Sequence, residues 1–262
     1  MIDNMHVFEK LHMLIRCWRY RFKSEVHSIK YVRSLNSKDM TILDIGANRG
    51  IYSLYMSHVA GKKGKVIAFE AQPELEESLF KLKKSFNLDN LEIINLALSS
   101  SVGSMTLQRK FIGSGAASFN FYDQNDQDLD SIDIAVTTLD DFLESRNDNP
   151  INFIKCDVEG HEADVFYGAK QTLMRDMPTL LFECHQSEEQ KGELFSFLTE
   201  IGYTGFFYHV EPKDHANIFK RGKGKYIHFT KHSEYDYCRP SVQHRNYVFF
   251  KDGEETQNKI FF

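Results

Sequence analysis

The sequence predicts an α/β fold, a Rossmann-like sheet of mostly parallel strands covered by helices, with further helices at the N-terminus. Three observations predict it. From residue 41 onward, short apolar runs alternate with segments of helical periodicity. The first run, Thr41–Ile45, leads into the turn Gly46-Ala47-Asn48-Arg49-Gly50. Acids or amides then stand at the ends of later runs, at Glu70, Asn95, Asp157 and Glu183. In doubly wound sheets, ligands bind beyond those strand ends.

Residues 1–38 carry apolar side chains at Phe8, Leu11, Ile15, Trp18, Phe22, Val26, Ile29 and Val32. Steps of three and four make these one stripe on one or two helices. The cations Arg16, Arg19, Arg21, Lys23, Lys30, Arg33 and Lys38 lie largely off it. The simplest reading is an amphipathic helix packed on the main domain. A substrate lid, a homodimer contact and a weak membrane contact are the alternatives.

Residues 39–252 read as one domain. Thr41–Ile45 is its first strand, Ile51–Val59 a helix, and Lys65–Glu70 the second strand after a turn at 61–64. Pro73 opens a helix to Phe86, at a position where a missing N–H costs little. Leu91–Leu96 is the third strand. This spacing implies right-handed crossovers and a parallel sheet. Val102–Lys110 and Ile132–Val136 break the rhythm as short strands around a polar loop. Thr138 caps a helix reaching Arg146, with Asp141 in a capping-box-like position. Asn152–Cys156 is the fourth strand, Glu162–Arg175 a helix and Thr179–Glu183 the fifth strand. Glu188–Ile201 is a helix stopped by Gly202. Tyr203–Val210 and Asn246–Lys251 are the last strands, parted by an insertion at 211–243, and residues 253–262 form a tail.

The chain has 262 residues, 42% of them hydrophobic and 26% charged, enough to bury a sizeable core. A net charge of −5 and a pI near 6.1 argue against a nucleic-acid partner. Cys17, Cys156, Cys184 and Cys238 show no paired spacing and are expected to be reduced thiols. No apolar run approaches the ~18 residues of a membrane helix. The first residues lack the pattern of a signal peptide. A cytoplasmic protein without a transmembrane segment is the expectation.

The glycine turn, followed by Glu70 at the end of the second strand, suits an adenosine-bearing cofactor whose ribose hydroxyls the carboxylate accepts. A nicotinamide dinucleotide and S-adenosylmethionine both fit such a site. Asn48 stands where the dinucleotide fingerprint has its middle glycine. Asp44 before the turn would repel a pyrophosphate and suits a cationic sulfonium. Both residues favour the methyl donor. Asp44, Gly46, Asn48, Gly50, Glu70, Asn95, Ala97 and Asp157 are the expected cofactor residues.

The run Ile154-Lys155-Cys156-Asp157-Val158-Glu159-Gly160-His161-Glu162, with Gly168-Ala169 after it, resembles the signature of the FkbM-type methyltransferases. Leu43–Gly50, Ala68–Pro73, Ala97–Ser99, Thr138–Asp140 and Leu181–Glu183 are similar to further motifs of that family, over roughly residues 40–205. The resemblance implies a class I methyltransferase fold, seven-stranded with an antiparallel last strand. It also implies S-adenosylmethionine as donor and O-methylation of a hydroxyl on a sugar, glycan or other small molecule. Cys156 departs from the apolar residue expected at its position.

Methyl transfer to oxygen needs alignment and removal of a proton. Asp157, Glu159 and His161 crowd the end of the fourth strand and are the catalytic candidates. His161 is preferred as base because its unperturbed pKa is about 6.5. Glu162, at a helix start, reads as a favourable first-turn charge. Asp157, Glu183 and His185 resemble a metal-ligating set, but strand-end acids more often bond ligand hydroxyls or loop amides, so no metal is expected. Glu183 and His185, with Ser114 and Ser118 of a small-residue flap at 111–119, are the substrate candidates. The histidines at 215, 228, 232 and 244 are not read as a zinc site.

Overall fold

The computed structural model describes residues 3–35, 39–119, 129–146, 148–185, 192–209, 225–231 and 244–253. The expected α/β architecture is present. Helix α1 (Val7–Arg19) runs through a π turn (Tyr20–Ser24) into α2 (Val26–Ser34). Strand β1 (Thr41–Ile45), α3 (Ile51–Ala60), β2 (Lys65–Phe69), α4 (Pro73–Phe86) and β3 (Leu91–Ile94) follow. Next come β4 (Ala97–Leu98), β5 (Gly103–Arg109), β6 (Asp130–Thr137) and α5 (Leu139–Glu144). Then β7 (Ile151–Cys156), α6 (Glu162–Tyr167), α7 (Lys170–Asp176), β8 (Thr179–His185) and α8 (Glu193–Glu200) complete the second half. The strands β9 (Tyr203–His209), β10 (Lys225–His228) and β11 (His244–Lys251) close it.

The main sheet has the order β10-β9-β11-β8-β7-β1-β2-β3. Strands β3, β2, β1, β7 and β8 pair in parallel, while β11 is antiparallel to both β8 and β9. The expected seven strands are thus joined by an eighth, β10, antiparallel to β9 at the edge. It lies inside the insertion 211–243, whose other residues, apart from 229–231, are outside the described set. The interruption after β3 forms a separate small sheet, β4-β6-β5.

Strand parity divides the core. Leu43, Ile45, Ile67, Phe69, Ile154 and Cys156 face α5–α8. Ile42, Val66, Ala68 and Phe153 face α2–α4 and the inner side of α1. Burial on both faces is why these strands read as near-continuous apolar runs.

Two expectations are corrected. The helix at 162–175 is broken at Gly168-Ala169, where the Gly168 carbonyl accepts the Asp140 N–H at 3.1 Å and the Asp140 carboxylate accepts the Gln171 and Thr172 N–H groups at 2.8 Å, starting a new helix. The N-terminal stripe is split: Ile29 and Val32 are buried, but Phe8, Leu11, Ile15, Trp18 and Phe22 are exposed. Helix α1 packs through its other side, through Met13 and Cys17. The Cys17, Cys156 and Cys184 thiols are free and buried, and Cys238 lies outside the described residues. No helix among the described residues is long and apolar enough to cross a membrane.

Candidate active site

The sheet order reverses between β1 and β7, and a cavity of about 550 Å³ opens beyond their carboxyl ends. It spans from Glu70, after β2, to Glu183 on β8. That is three strand-to-strand steps of about 4.8 Å each.

The turn after β1 shapes one end. Gly46 has φ +78° and its N–H donates to the Phe69 carbonyl at 3.0 Å. A Cβ there would lie 2.0 Å from the Asp157 carbonyl oxygen, so glycine lets β1 and β7 close together. Asn48 follows at φ +49°, and Gly50 at φ +78° caps α3. The Asn48 N–H donates to Glu70 Oε2 at 2.6 Å and the Gln72 N–H to Glu70 Oε1 at 2.9 Å. Burial pushes the Glu70 carboxyl up, and these amides partly offset it. Phe69, Ala71, Ala97, Leu98 and Leu107 add apolar wall.

Acids converge at the other end. Glu159 sits in the left-handed region at φ +52°, strained for a residue with a Cβ, followed by Gly160 at an easy φ of +88°, and the Glu159 side chain lines the cavity. Burial and then the Asp157 charge raise its carboxyl to about 7. Burial, followed by Asp157, Glu25 and two further carboxylates, raises Glu183 to about 9. Glu25 enters from the N-terminal segment, accepting from Tyr52 Oη at 3.1 Å and Asn246 Nδ2 at 3.2 Å. The counter-charge is Lys155, whose Nζ lies 3.1 Å from Asp157 and 3.9 Å from Asp44. These two carboxylates hold the lysine above its usual range despite burial.

The expected site residues divide accordingly. Gly46, Asn48, Glu70, Ala97, Asp157, Glu159, His161 and Glu183 bound one cavity. Asp44 does not reach it: fully buried, it accepts from Ser53 Oγ at 2.5 Å. Gly50 packs against Leu82 beneath the turn. Asn95 is exposed and ties down the β2 end, donating to the Glu70 carbonyl at 2.8 Å. Ser114 and Ser118 turn inward to the protein, with Ser118 Oγ donating to the Glu159 carbonyl at 2.8 Å. The flap instead presents Phe111, Gly113, Ala116 and Phe119 to the cavity. His185 ends β8, and its side chain is outside the described residues.

His161 is buried, with Nε2 2.9 Å from Ser99 Oγ and Nδ1 3.4 Å from Asp164. Burial lowers its pKa, with Asp164 opposing. Glu162 is also buried and accepts the Val158 N–H at 2.8 Å, fastening the turn rather than only screening a helix end. Among the described residues, no three metal-ligating side chains are placed to share an ion.

Sequence reasoning passed over Lys155, Glu25, Tyr52, Arg16 and Gln72. Two left a signal: Lys155 is a lone charge within an apolar strand, and Glu25 is the only acid from residue 16 to residue 38. Gln72 clasps the flap, donating to the Ser114 carbonyl at 3.0 Å and accepting from the Gly113 N–H at 3.1 Å.

The fold is similar to that of the methyltransferase FkbM from Methylobacillus flagellatus KT, at 16% identity and a TM-score of 0.51, over 81% of this chain and 44% of that one. The chain therefore spans less than half the length of that protein. It is also similar to a protein from Clostridium thermocellum provisionally described as an rRNA-methylase, at 11% identity and a TM-score of 0.50, over 87% and 95% of the two chains. At such identities the likeness shows the fold alone. No curated protein matches the sequence. A family profile decides the matter: the Methyltransferase FkbM domain matches residues 44–204, from Asp44 before the glycine turn through the whole acid-bearing end of the sheet. The chain belongs to the FkbM methyltransferase family.

Proposed function

We propose that this protein transfers a methyl group from S-adenosylmethionine to a hydroxyl of a small polyhydroxylated acceptor, such as a sugar. The observation that carries the reading is the cavity across the strand ends, with Glu70 at one side and Asp157, Glu159, Glu183 and Glu25 at the other.

The residues fit that donor. Each Glu70 oxygen keeps a lone pair beyond its backbone amide, available to a ribose hydroxyl. Phe69, Leu98 and Leu107 offer apolar contact to an adenine ring. The carboxylates beyond them suit a sulfonium and an ammonium group, and oppose the pyrophosphate of a nicotinamide dinucleotide. When bound, S-adenosylmethionine supplies an electrophilic methyl group.

Glu159 is the base in this reading. Its carboxyl, raised to about 7, matches the pKa that proton abstraction near neutrality requires. Asp157, ion-paired with Lys155, positions the acceptor. His161 is the neutral ring that braces the Glu159–Gly160 turn through Ser99. The same carboxylates also favour a second acceptor class, an amino sugar, in which a cationic amine would dock before losing its proton. The buried thiols suit the reducing cytoplasm.

Calorimetric titration with S-adenosylmethionine, S-adenosylhomocysteine and NAD tests the donor. Binding of the first two and not of NAD is expected, and binding of NAD alone would overturn the reading. Labelled-methyl transfer to a panel of sugars and amino sugars tests the acceptor. Glu159→Gln should keep donor affinity and lose about a hundredfold in turnover. Full turnover in that variant would remove Glu159 from the base role.

A further inference from the structure

Helix α1 is fixed to the body by one face while the opposite face is apolar and bare. Inward, Met13 and Cys17 are buried, the Cys17 carbonyl accepts from Tyr55 Oη at 3.0 Å, and Lys10 Nζ donates to the Ser85 carbonyl at 2.8 Å. Outward, Phe8 is 84% exposed, Leu11 52%, Ile15 53%, Trp18 52% and Phe22 51%. A helix already seated through its other side has no core of its own to give this stripe. An exposed apolar patch of this kind marks an interaction surface.

The charges around the stripe select the partner. From Val7 to Ser24 there are five cations; Lys10 and Arg16 turn inward, which leaves Arg19, Arg21 and Lys23 beside the stripe, against the single acid Glu9 of this segment, in a chain whose net charge is −5. Two cations lie over the aromatic anchors: Lys23 Nζ is 5.2 Å from the Trp18 ring centroid and the Arg21 guanidinium 4.9 Å from that of Phe22. A second copy of the same face would bring like charges together. A nucleic acid would leave the apolar stripe uncovered. An anionic lipid surface satisfies both features, with aromatic side chains at the headgroup boundary and cations among the headgroups.

We propose that α1 and its π turn form an interfacial helix that seats this protein on an anionic membrane surface, without spanning it. On their inner side the same segments supply Arg16 and Tyr20 to the cavity wall, so one helix meets lipid outside and the site inside.

Trp18 is the only tryptophan, which gives a direct probe. Its emission should shift to the blue when the full chain is mixed with vesicles of phosphatidylcholine and phosphatidylserine, and not with phosphatidylcholine alone. Co-sedimentation should follow the same order and weaken with salt. Phe8→Ser/Ile15→Ser should lower vesicle affinity about tenfold or more. Arg19→Glu/Lys23→Glu should lower it about a hundredfold. All four side chains lie outside the core, so unchanged thermal melts separate these losses from misfolding. No vesicle binding would overturn the proposal, as would equal binding to neutral vesicles. So would a Trp18 shift produced only by self-association or by single-stranded RNA. None of these readouts depends on methyl transfer.

Discussion

Glu70 Oε2 accepts the Asn48 backbone N–H at 2.6 Å, joining the end of β2 to the turn after β1. The carboxylate thereby shapes the turn as well as facing the cavity. Glu70→Ala should remove both roles. Charge-assisted hydrogen bonds contribute roughly 1.5–3 kcal/mol each. S-Adenosylmethionine affinity should fall at least tenfold by calorimetry, with a lower melting temperature even without ligand. Unchanged affinity would show that the turn alone holds the donor.

Gly46→Ala should be costly for a backbone reason. The position has φ +78°, and the new Cβ would meet the Asp157 carbonyl oxygen at 2.0 Å. Overpacking and left-handed strain together cost about 2–4 kcal/mol. A melting-temperature loss of several degrees, with lost donor binding, is expected. A change that left both intact would contradict this packing of β1 on β7.

Lys155→Met should destabilise by roughly 3 kcal/mol, because removing one partner leaves buried Asp44 uncompensated. Burial already raises the Asp44 carboxyl, so protonation relieves the variant in acid. Denaturant melts should show a smaller loss near pH 5 than near pH 8. Adding Asp44→Asn should recover part of the loss at the higher pH.

The raised carboxyls of Glu159, to about 7, and Glu183, to about 9, set a pH dependence of the ligand-free protein. Between the unfolded carboxylate range and these values, the folded state binds more protons than the unfolded one. The contribution of these two carboxyls to stability is therefore fully present below about pH 4.5 and lost as pH rises to about 9. The depressed carboxyls of Glu92, Asp148 and Asp176 act in the opposite sense below that window. His27, lowered by burial to about 4, opposes the slope up to about pH 6.5, so the fall is cleanest above that value. Glu183→Gln should flatten the upper part of the slope in a melting-temperature series. A slope unchanged by that substitution would remove Glu183 as its source.

Features that depend on near neighbours were legible in the chain. Helix α4 begins at Pro73 and ends at Phe86 as its composition suggested, and Thr138 accepts the Asp141 N–H at 3.0 Å as an N-cap. Features set by distant partners were not. The break before α7 is held by Asp140, far away in sequence, whose N–H donates to the Gly168 carbonyl and whose carboxylate accepts the Gln171 and Thr172 N–H groups. Gln72 holds Ser114 by its backbone carbonyl and Ser118 Oγ reaches the Glu159 carbonyl, distant partners that no local pattern announces.

By itself the sequence determined the alternation of strand and helix, the glycine turn, and the order of acids at the strand ends. These rest on periodicity, backbone restriction and charge, which act over a few residues. Only the tertiary structure decided which acids share the cavity. Asp44 turned to Ser53 and Lys155 instead, since its strand parity points it under α3. It also decided which face of α1 is covered: Met13 and Cys17 reach the core, and the longer stripe through Trp18 faces outward. Periodicity establishes that a helix has an apolar face, and packing against the rest of the chain settles whether that face is the one buried.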